Sequence, residues 1–250
     1  MFGEASFMSS IEERDLHGTM HWYDRTVFTQ MDPNFFNPDW LRDKGFHHGY
    51  AKGRNSAHFL RFSGHDMVLR HFYRGGLIGR FNKDRYLRKP AKSSRAMQEF
   101  KLLVWMREQG LPVPRPLAAR YVPAGLWYRA DLIMERIANT RTLAELLLKT
   151  KLVSQDWLRI GATVGRMHGI GVDHSDLNCR NILMDAGGQA WLIDFDKCER
   201  REPGKWMEEN IARLKRSLIK EKGKSPGLHW TDTDWNAFLN GYQTQIQSPA

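Results

Sequence analysis

Apolar and polar positions change period several times along the 250-residue chain, and each change predicts an element. From residue 45 the pattern alternates imperfectly. Two runs rich in Phe, Leu and Val, "AHFLRF" and "DMVLRHF", flank the turn-forming "SGHD" of residues 63–66, which predicts strands on either side. The period lengthens in "RAMQEFKLLVWMREQG", where Met97, Phe100, Leu103 and Val104 recur at i, i+3, i+6 and i+7. Gly110 and Pro112 then supply a stop, so a helix is expected. "WYRADLIMERI", residues 127–137, reads as a strand running into a connector. "TLAE", residues 142–145, has the spacing of a capping box and opens a helix "AELLLK"; "SQDWLRIGATVGRMHGIG" predicts another. In "NILMDAGGQAWLID" two short apolar runs face each other across Gly187 and Gly188, a small hairpin. Further on, "RLKRSLIKEKGK" spaces Leu214, Leu218 and Ile219 for a surface helix with one buried face.

Residues 1–44 follow no period and carry "DPNFFNPDW". Phe35, Phe36 and Trp40 would be exposed in a free tail, so an irregular but ordered extension packed on the rest is expected. The expected organisation is this extension, a strand-rich part with one long helix over residues 45–137, and a mainly helical part over 138–250. No internal repeat or low-complexity segment is present.

Composition narrows the picture. Apolar residues make up 41% and there are nine Trp, which excludes a disordered chain. A formal charge of +10 favours polyanionic partners, whether nucleic acid, acidic lipid or phosphorylated substrates. No stacking platform or groove-entering motif accompanies that charge, so no nucleic-acid partner is expected. Cys179 and Cys198 stand in no metal-ligand spacing, which points to a reducing compartment without a disulfide framework. His47 and His48 lack a Cys or carboxylate partner at ligand spacing. The first residues have no basic start followed by an apolar core, so no secretory leader is expected. No apolar run approaches the roughly 18 residues of a membrane span, so any membrane contact would be peripheral.

The chemistry concentrates in "HSDLNCRNILMDAGGQAWLIDFD". Phosphoryl transfer needs metal ions to neutralise phosphate charge and a carboxylate to orient the attacking hydroxyl and accept its proton. The protein-kinase pattern H-R-D-L-x-x-x-N followed by D-F-G divides those tasks among an Asp base, an Asn on one magnesium and a second Asp on the metals. His174, Asp176, Leu177 and Asn181 align with the first motif, and Asp194 with Phe195 aligns with the second. The hairpin between them fills the interval and brings Asp176, Asn181 and Asp194 to one edge of a small sheet. Asp176 is therefore the expected catalytic carboxylate, with Asn181 and Asp194 as Mg²⁺ ligands. Read singly, Asp176 is a turn former and Asp194 a strand terminator; read together they form a phosphotransferase constellation.

The nucleotide-binding counterparts are expected upstream. Gly49 and Gly53 would let backbone approach phosphates, although an ordinary hairpin turn accounts for two glycines equally well. Arg70 ends an apolar strand run where protein kinases have Lys, and its fork suits phosphate; a solvated Arg on an edge strand is the plainer reading. Glu99 is the candidate to hold it, against a surface residue of the helix. Backbone groups of Met134, Glu135 and Arg136 would line an adenine pocket.

The stretches "MVLRHFYRGGLIGRF", "EFKLLVWMREQGLPVPRPLAA", "HSDLNCRNILMD", "WLIDFDKCE" and "NIARLKRSLIK" resemble the lipopolysaccharide kinase family over nearly the whole chain. The resemblance implies an α+β, bilobal, protein-kinase-like fold with a β-rich N-lobe and a reduced, mainly helical C-lobe. It also implies ATP as donor and a lipid-linked 3-deoxy-D-manno-octulosonic acid (Kdo) saccharide as acceptor, phosphorylated at its 4-hydroxyl. The implied location is peripheral, on the cytoplasmic face of the bacterial inner membrane.

Departures from the protein-kinase pattern carry expectations of their own. Ser175 replaces the Arg that reads a phosphorylated activation loop, so regulation by loop phosphorylation is not expected. Asn178 replaces a Lys, Asp196 replaces the last Gly of D-F-G, and no A-P-E segment follows. Residues 74–95 interleave apolar side chains with Arg80, Lys83, Arg85, Arg88 and Lys89, a pattern suited to an anionic membrane surface and also to a solvated connector. Arg180 beside Cys179 could lower that thiol's pKa, but a small filler is the simpler role, and His174 reads as a scaffold of its loop. The rival functions are a lipopolysaccharide heptose kinase, a small-molecule kinase resembling aminoglycoside or choline kinases, and a nucleotide-binding pseudokinase scaffold.

Overall fold

Alternation along the strands and the need to cover both faces of a sheet build the first part of the molecule. A computed structural model describes residues 10–51, 57–73 and 84–247. It divides into a unit of Met1–Glu108 with Pro114–Arg136 and a unit of Gln109–Val113 with Ile137–Ala250.

In the first unit β1 (Ile11–Leu16) and β2 (Thr19–Asp24) form a hairpin, α1 (Pro38–Asp43) follows, and β3 (His47–Ala51), β4 (Ala57–Phe62) and β5 (His65–His71) form a meander. A short β6 (Tyr86–Leu87) and α2 (Arg95–Glu108) precede the paired β7 (Pro116–Ala124) and β8 (Trp127–Glu135). Among the described residues the strands make one antiparallel sheet in the order β1-β2-β7-β8-β5-β4-β3, with β6 also pairing β8. Because side chains alternate, Met67 and Leu69 of β5 point to one face and Arg70 to the other. Phe28, Met31, Phe35, Phe36 and Leu41 cluster with Met67, Leu69, Leu117 and Ile133 on the first face. The helix α2, carrying Glu99, packs over the second. Central β8 is buried on both faces, and its residues Leu132, Ile133 and Met134 are all buried.

This corrects the reading of residues 1–44 as irregular. They contribute the edge strand β1, its inner neighbour β2 and the aromatic packing of one face of the sheet, since the sheet cannot leave that face in water. The hairpin turn at His17 and Gly18, both at positive φ, takes only two residues and is masked by polar "IEERDL". The turn read as residues 63–66 is likewise only Ser63 and Gly64, at φ 50° and 80°, because His65 and Asp66 already belong to β5. Pro116 and Pro123 hid β7. Pro116 opens the strand beside a register shift, and Pro123 lies beyond the β2 partners, which end at Tyr121.

The second unit is mainly helical: β9 (Arg141–Thr142), α3 (Leu143–Leu147), α4 (Ser154–Gly169), β10 (Val172–Asp173), β11 (Ile182–Met184), β12 (Ala190–Leu192), β13 (Glu199–Arg200), α5 (Trp206–Lys224) and α6 (Asp232–Gln247). The capping box is present: the Thr142 hydroxyl accepts from the Glu145 N–H, and the Glu145 carboxylate accepts from the Thr142 N–H. Trp157, Ile160, Val164 and Met167 form the buried stripe of α4. Against it α6 approaches at backbone distance, because a Cβ on Gly161 would lie 2.0 Å from the Phe238 oxygen and one on Gly241 would lie 2.1 Å from the Leu158 oxygen. No helix among the described residues is long and apolar enough to cross a membrane.

That contact gives a direct test. Gly241→Ala should force α4 and α6 apart and lower stability by about 1–3 kcal/mol or more, seen as a lower urea midpoint. Gly223→Ala in α5, where an added Cβ meets nothing within 4 Å, should leave the midpoint unchanged or raise it slightly.

Candidate active site

Two short pairings set the frame of the second unit's loop. β10 pairs with β13, and β11 pairs with β12 and β9, so residues 174–181 span from one small sheet to the other. His174 sits in this loop with no solvent exposure. Its Nδ1 accepts from the Asp176 N–H at 3.2 Å and its Nε2 lies 3.1 Å from the Ile193 carbonyl. Those partners require a neutral ring with the proton on Nε2. Burial pushes the His174 pKa down, which maintains that state. His174 therefore shapes the loop, as read from the sequence.

Asp176 is exposed on this loop. Its carbonyl accepts from Asn178 Nδ2 at 2.9 Å and Asn181 Nδ2 at 3.0 Å. The bond to Asp176 uses the nitrogen of the buried Asn181 amide, so Oδ1 remains the donor atom for a cation. Asn181 also receives the Ile193 N–H on its backbone carbonyl at 3.0 Å, which places it across the hairpin from the residue preceding Asp194. Asp194 lies two residues beyond the end of β12 rather than ending it, and has φ 64°. A left-handed backbone at a residue other than glycine costs roughly 1 kcal/mol or more and concentrates at functional positions. The structure thus gathers Asp176, Asn181 and Asp194 around one end of the β11–β12 hairpin.

Ser175 takes a role the sequence reading did not assign. Its hydroxyl donates to the Asp196 carbonyl at 2.8 Å, tying the catalytic-type loop to the D-F-D segment. At the far end of the hairpin only Gly188 has positive φ, and the Asp185 carboxylate accepts from the Gly187 and Gln189 N–H groups and from Trp191 Nε1. Cys179 is buried, and burial raises its thiol pKa instead of Arg180 lowering it, so it is a filler.

One face of α5 carries anchors that sequence reasoning missed. Asn210 accepts from the His174 N–H at 3.0 Å and donates to Asp173 at 2.9 Å. Ser217 accepts from the Cys179 N–H at 3.0 Å, and Glu221 pairs with Arg180 at 2.7 Å. Positions 210, 217 and 221 recur near helical spacing, a signal visible beforehand only as polar residues interrupting an apolar stripe.

In the first unit, Arg70 and Glu99 form a buried ion pair, 9% and 3% exposed. Neither plainer reading holds: β5 lies between β4 and β8, and Glu99 faces inward. Arg70 also sits over the Phe72 ring at 4.8 Å. Gly49 is not between strands; it lies within β3 at a bulge, with φ 131°, a conformation open to glycine. Gly53 lies outside the described residues, as do residues 74–83 of the basic segment. Met134 is buried, the Glu135 N–H donates to the Arg115 carbonyl, and the Arg136 N–H donates to the Asp66 carbonyl. Arg136 lies over Phe59 at 4.1 Å. These two N–H groups are therefore already engaged within the first unit.

Comparison with known proteins agrees with this geometry. Residues 38–242 match the model of the lipopolysaccharide kinase (Kdo/WaaP) family. The chain is 40% identical over 235 residues to 3-deoxy-D-manno-octulosonic acid kinase of Vibrio vulnificus, covering 94% of this chain and 99% of that one. It is 40% identical to the kinase of the same name from Actinobacillus succinogenes, over 86% of this chain and 92% of the relative. The Haemophilus influenzae kinase of that name is 37% identical, over 88% and 93% respectively.

The buried imidazoles predict a pH dependence. His174 is lowered by burial, and burial also lowers His168, to about 4. Below the unfolded value of about 6.5 the unfolded chain takes up protons that these native rings refuse, so stability falls as pH falls. Each ring contributes at most about 1.4 kcal/mol per pH unit. Urea midpoints should therefore drop between pH 7.5 and pH 5; a midpoint constant over that range would mean the rings are charged in the native state.

Proposed function

Because this chain belongs to the lipopolysaccharide kinase (Kdo/WaaP) family, we propose that it transfers the γ-phosphoryl group of ATP to a hydroxyl, the 4-hydroxyl, of Kdo in the lipid-linked inner core of lipopolysaccharide. The observation that carries the reading is the anchored loop: exposed Asp176, held by His174 through its N–H and by Asn181 through its carbonyl. In this reading the Asp176 carboxylate orients the sugar hydroxyl and accepts its proton as the oxygen attacks. The near-full-length similarity to kinases named for Kdo supports the acceptor.

The residues present fit Mg²⁺. Asn181 and Asp194 offer hard oxygen donors, and this cation is commonly held by one or two carboxylates together with substrate phosphates. Among the described residues no group of three or more His, Cys, Asp and Glu could hold a metal alone, so phosphate oxygens would complete its shell. When bound, the ion neutralises the phosphate charge that builds during transfer. Arg70, oriented by Glu99, would meet phosphate oxygens with its guanidinium. The strand-rich unit corresponds in this proposal to a kinase N-lobe, and the helical unit to a reduced C-lobe.

We further propose peripheral attachment to the anionic cytoplasmic face of the inner membrane. Leu87 and Leu126 are 63% and 77% exposed, and the Arg88 N–H to Leu126 carbonyl bond joins their loops. Exposed Arg85, Arg88 and Lys89 surround them. Each such cation near an acidic lipid surface contributes on the order of 1 kcal/mol. No nucleic-acid partner is proposed.

Labelled γ-phosphate transfer from ATP should reach a Kdo-bearing lipid A precursor and neither a heptose-bearing core lacking unmodified Kdo nor a general protein substrate. Label on heptose would move the acceptor; ATP binding without transfer would favour a pseudokinase. Asp176→Ala should lower turnover by about 10²- to 10⁴-fold while sparing ATP binding, and wild-type turnover would remove it from the mechanism. Asp194→Ala should weaken Mg²⁺-dependent nucleotide binding, with an unchanged magnesium titration as the contrary result.

A further inference from the structure

The turn end of the β11–β12 hairpin borders a cavity of about 360 Å³. Its lining includes Arg159, Thr163 and Arg166 of α4, Gly188 and Gln189 of the hairpin, and Gln245 of α6. At about 3.3 Å per residue, β11 separates this turn from Asn181 by roughly 10–15 Å. The cavity is therefore distinct from the catalytic constellation, and its volume lies in the range of small-molecule sites.

Its chemistry is that of a donor-rich, cationic site. No carboxylate is among its lining residues; two stand beside them, Asp156, 3.6 Å from Arg159 in a partly exposed pair one turn away on α4, and Asp185, whose carboxylate is engaged by the Gly187 and Gln189 N–H groups and by Trp191 Nε1. Arg166 donates one N–H to the Gly110 carbonyl at 3.4 Å, which steadies the guanidinium and leaves the rest of its fork. Arg159 lies over the hairpin turn so closely that a Cβ on Gly188, at φ 77°, would fall 2.3 Å from its Nη1. Thr163 is 4% exposed, lines the cavity, and its hydroxyl makes no hydrogen bond to another described residue. The hydroxyl is not one of the buried polar atoms closed off without a partner, so it is open to a ligand in the cavity. Two guanidinium groups match an oxyanion, and the hydroxyl with two primary amides matches the hydroxyls of a sugar ring.

We propose that this cavity binds a saccharide bearing an oxyanion, either a sugar phosphate or a sugar acid. The proposal does not depend on the acceptor or the reaction assigned above, because none of these residues belongs to the loop at residues 174–181.

The test titrates the full-length chain with glucose 6-phosphate, glucuronate and inorganic phosphate, following heat of binding and thermal shift. At least one of the two sugars should bind saturably and more tightly than inorganic phosphate. Arg159→Gln should weaken it at least about tenfold, as should Thr163→Val to a smaller degree, whereas Asp194→Ala should not. Preference for glucose 6-phosphate or for glucuronate identifies the oxyanion as phosphate or carboxylate. Arg159 is an exposed side chain, so its replacement leaves the fold intact and decides the question even if Arg166→Gln unfolds the protein. The proposal is overturned by no saturable binding of either sugar, by affinity unchanged in Arg159→Gln, or by affinity lost in Asp194→Ala, which would assign the probe to the catalytic residues. γ-Phosphate transfer by Arg159→Gln, measured alongside, keeps a failed binding result separate from a failed kinase assignment.

Discussion

The imidazole of His174 has to remain neutral for the loop around Asp176 to keep its shape. Its Nδ1 lone pair faces one N–H and its Nε2 proton faces one carbonyl, so a second proton would set N–H against N–H at a fully buried ring. Burial penalises the charged ring and so enforces the arrangement. Through that ring the exposed carboxylate of Asp176 is tied to Ile193, the residue before Asp194. Asn181, Ser175 and Asn210 add their own bonds to the same short stretches. A carboxylate and two oxygen donors thereby acquire fixed places although no long element runs through any of them.

The first unit uses a different device. Arg70 and Glu99 are removed from water together, and desolvation offsets much of the Coulombic gain of such a pair. A pair of apolar side chains would serve stability as well. Retaining the charges makes sense if Arg70 must present a fixed cation to phosphate, which is its role in the kinase reading. The aromatic residues before α1 complete the economy of this unit: they fill the face of the sheet that α2 does not cover, and so hold β5, which carries Arg70, between two packed layers.

Local signals were strong for the long periodic elements and for the catalytic motif. α2, α4 and the capping box of α3 were legible because their patterns are amphipathic or are closed within four residues. The hairpin carrying Asn181 and leading to Asp194 was legible because turn glycines and two apolar runs lie within fourteen residues. β1, β2 and β7 were not. β1 is polar at an edge, and β7 contains two prolines that the ladder tolerates only where a partner strand begins or ends. The α5 anchors were invisible for another reason: Asn210, Ser217 and Glu221 act on residues some 36 to 41 positions away.

By itself, then, the sequence singled out the residues proposed for phosphotransfer, since the motif is a spacing of Asp, Asn and Asp set by one loop and one hairpin. It also determined the family, through stretches that run nearly the whole chain. Only the tertiary structure decided that Glu99 faces Arg70, that His174 is uncharged, and that residues before 44 form part of the sheet. Each of these depends on which groups lose contact with water when distant segments pack. Periodicity within a segment records that one face is buried, but not which partner covers it.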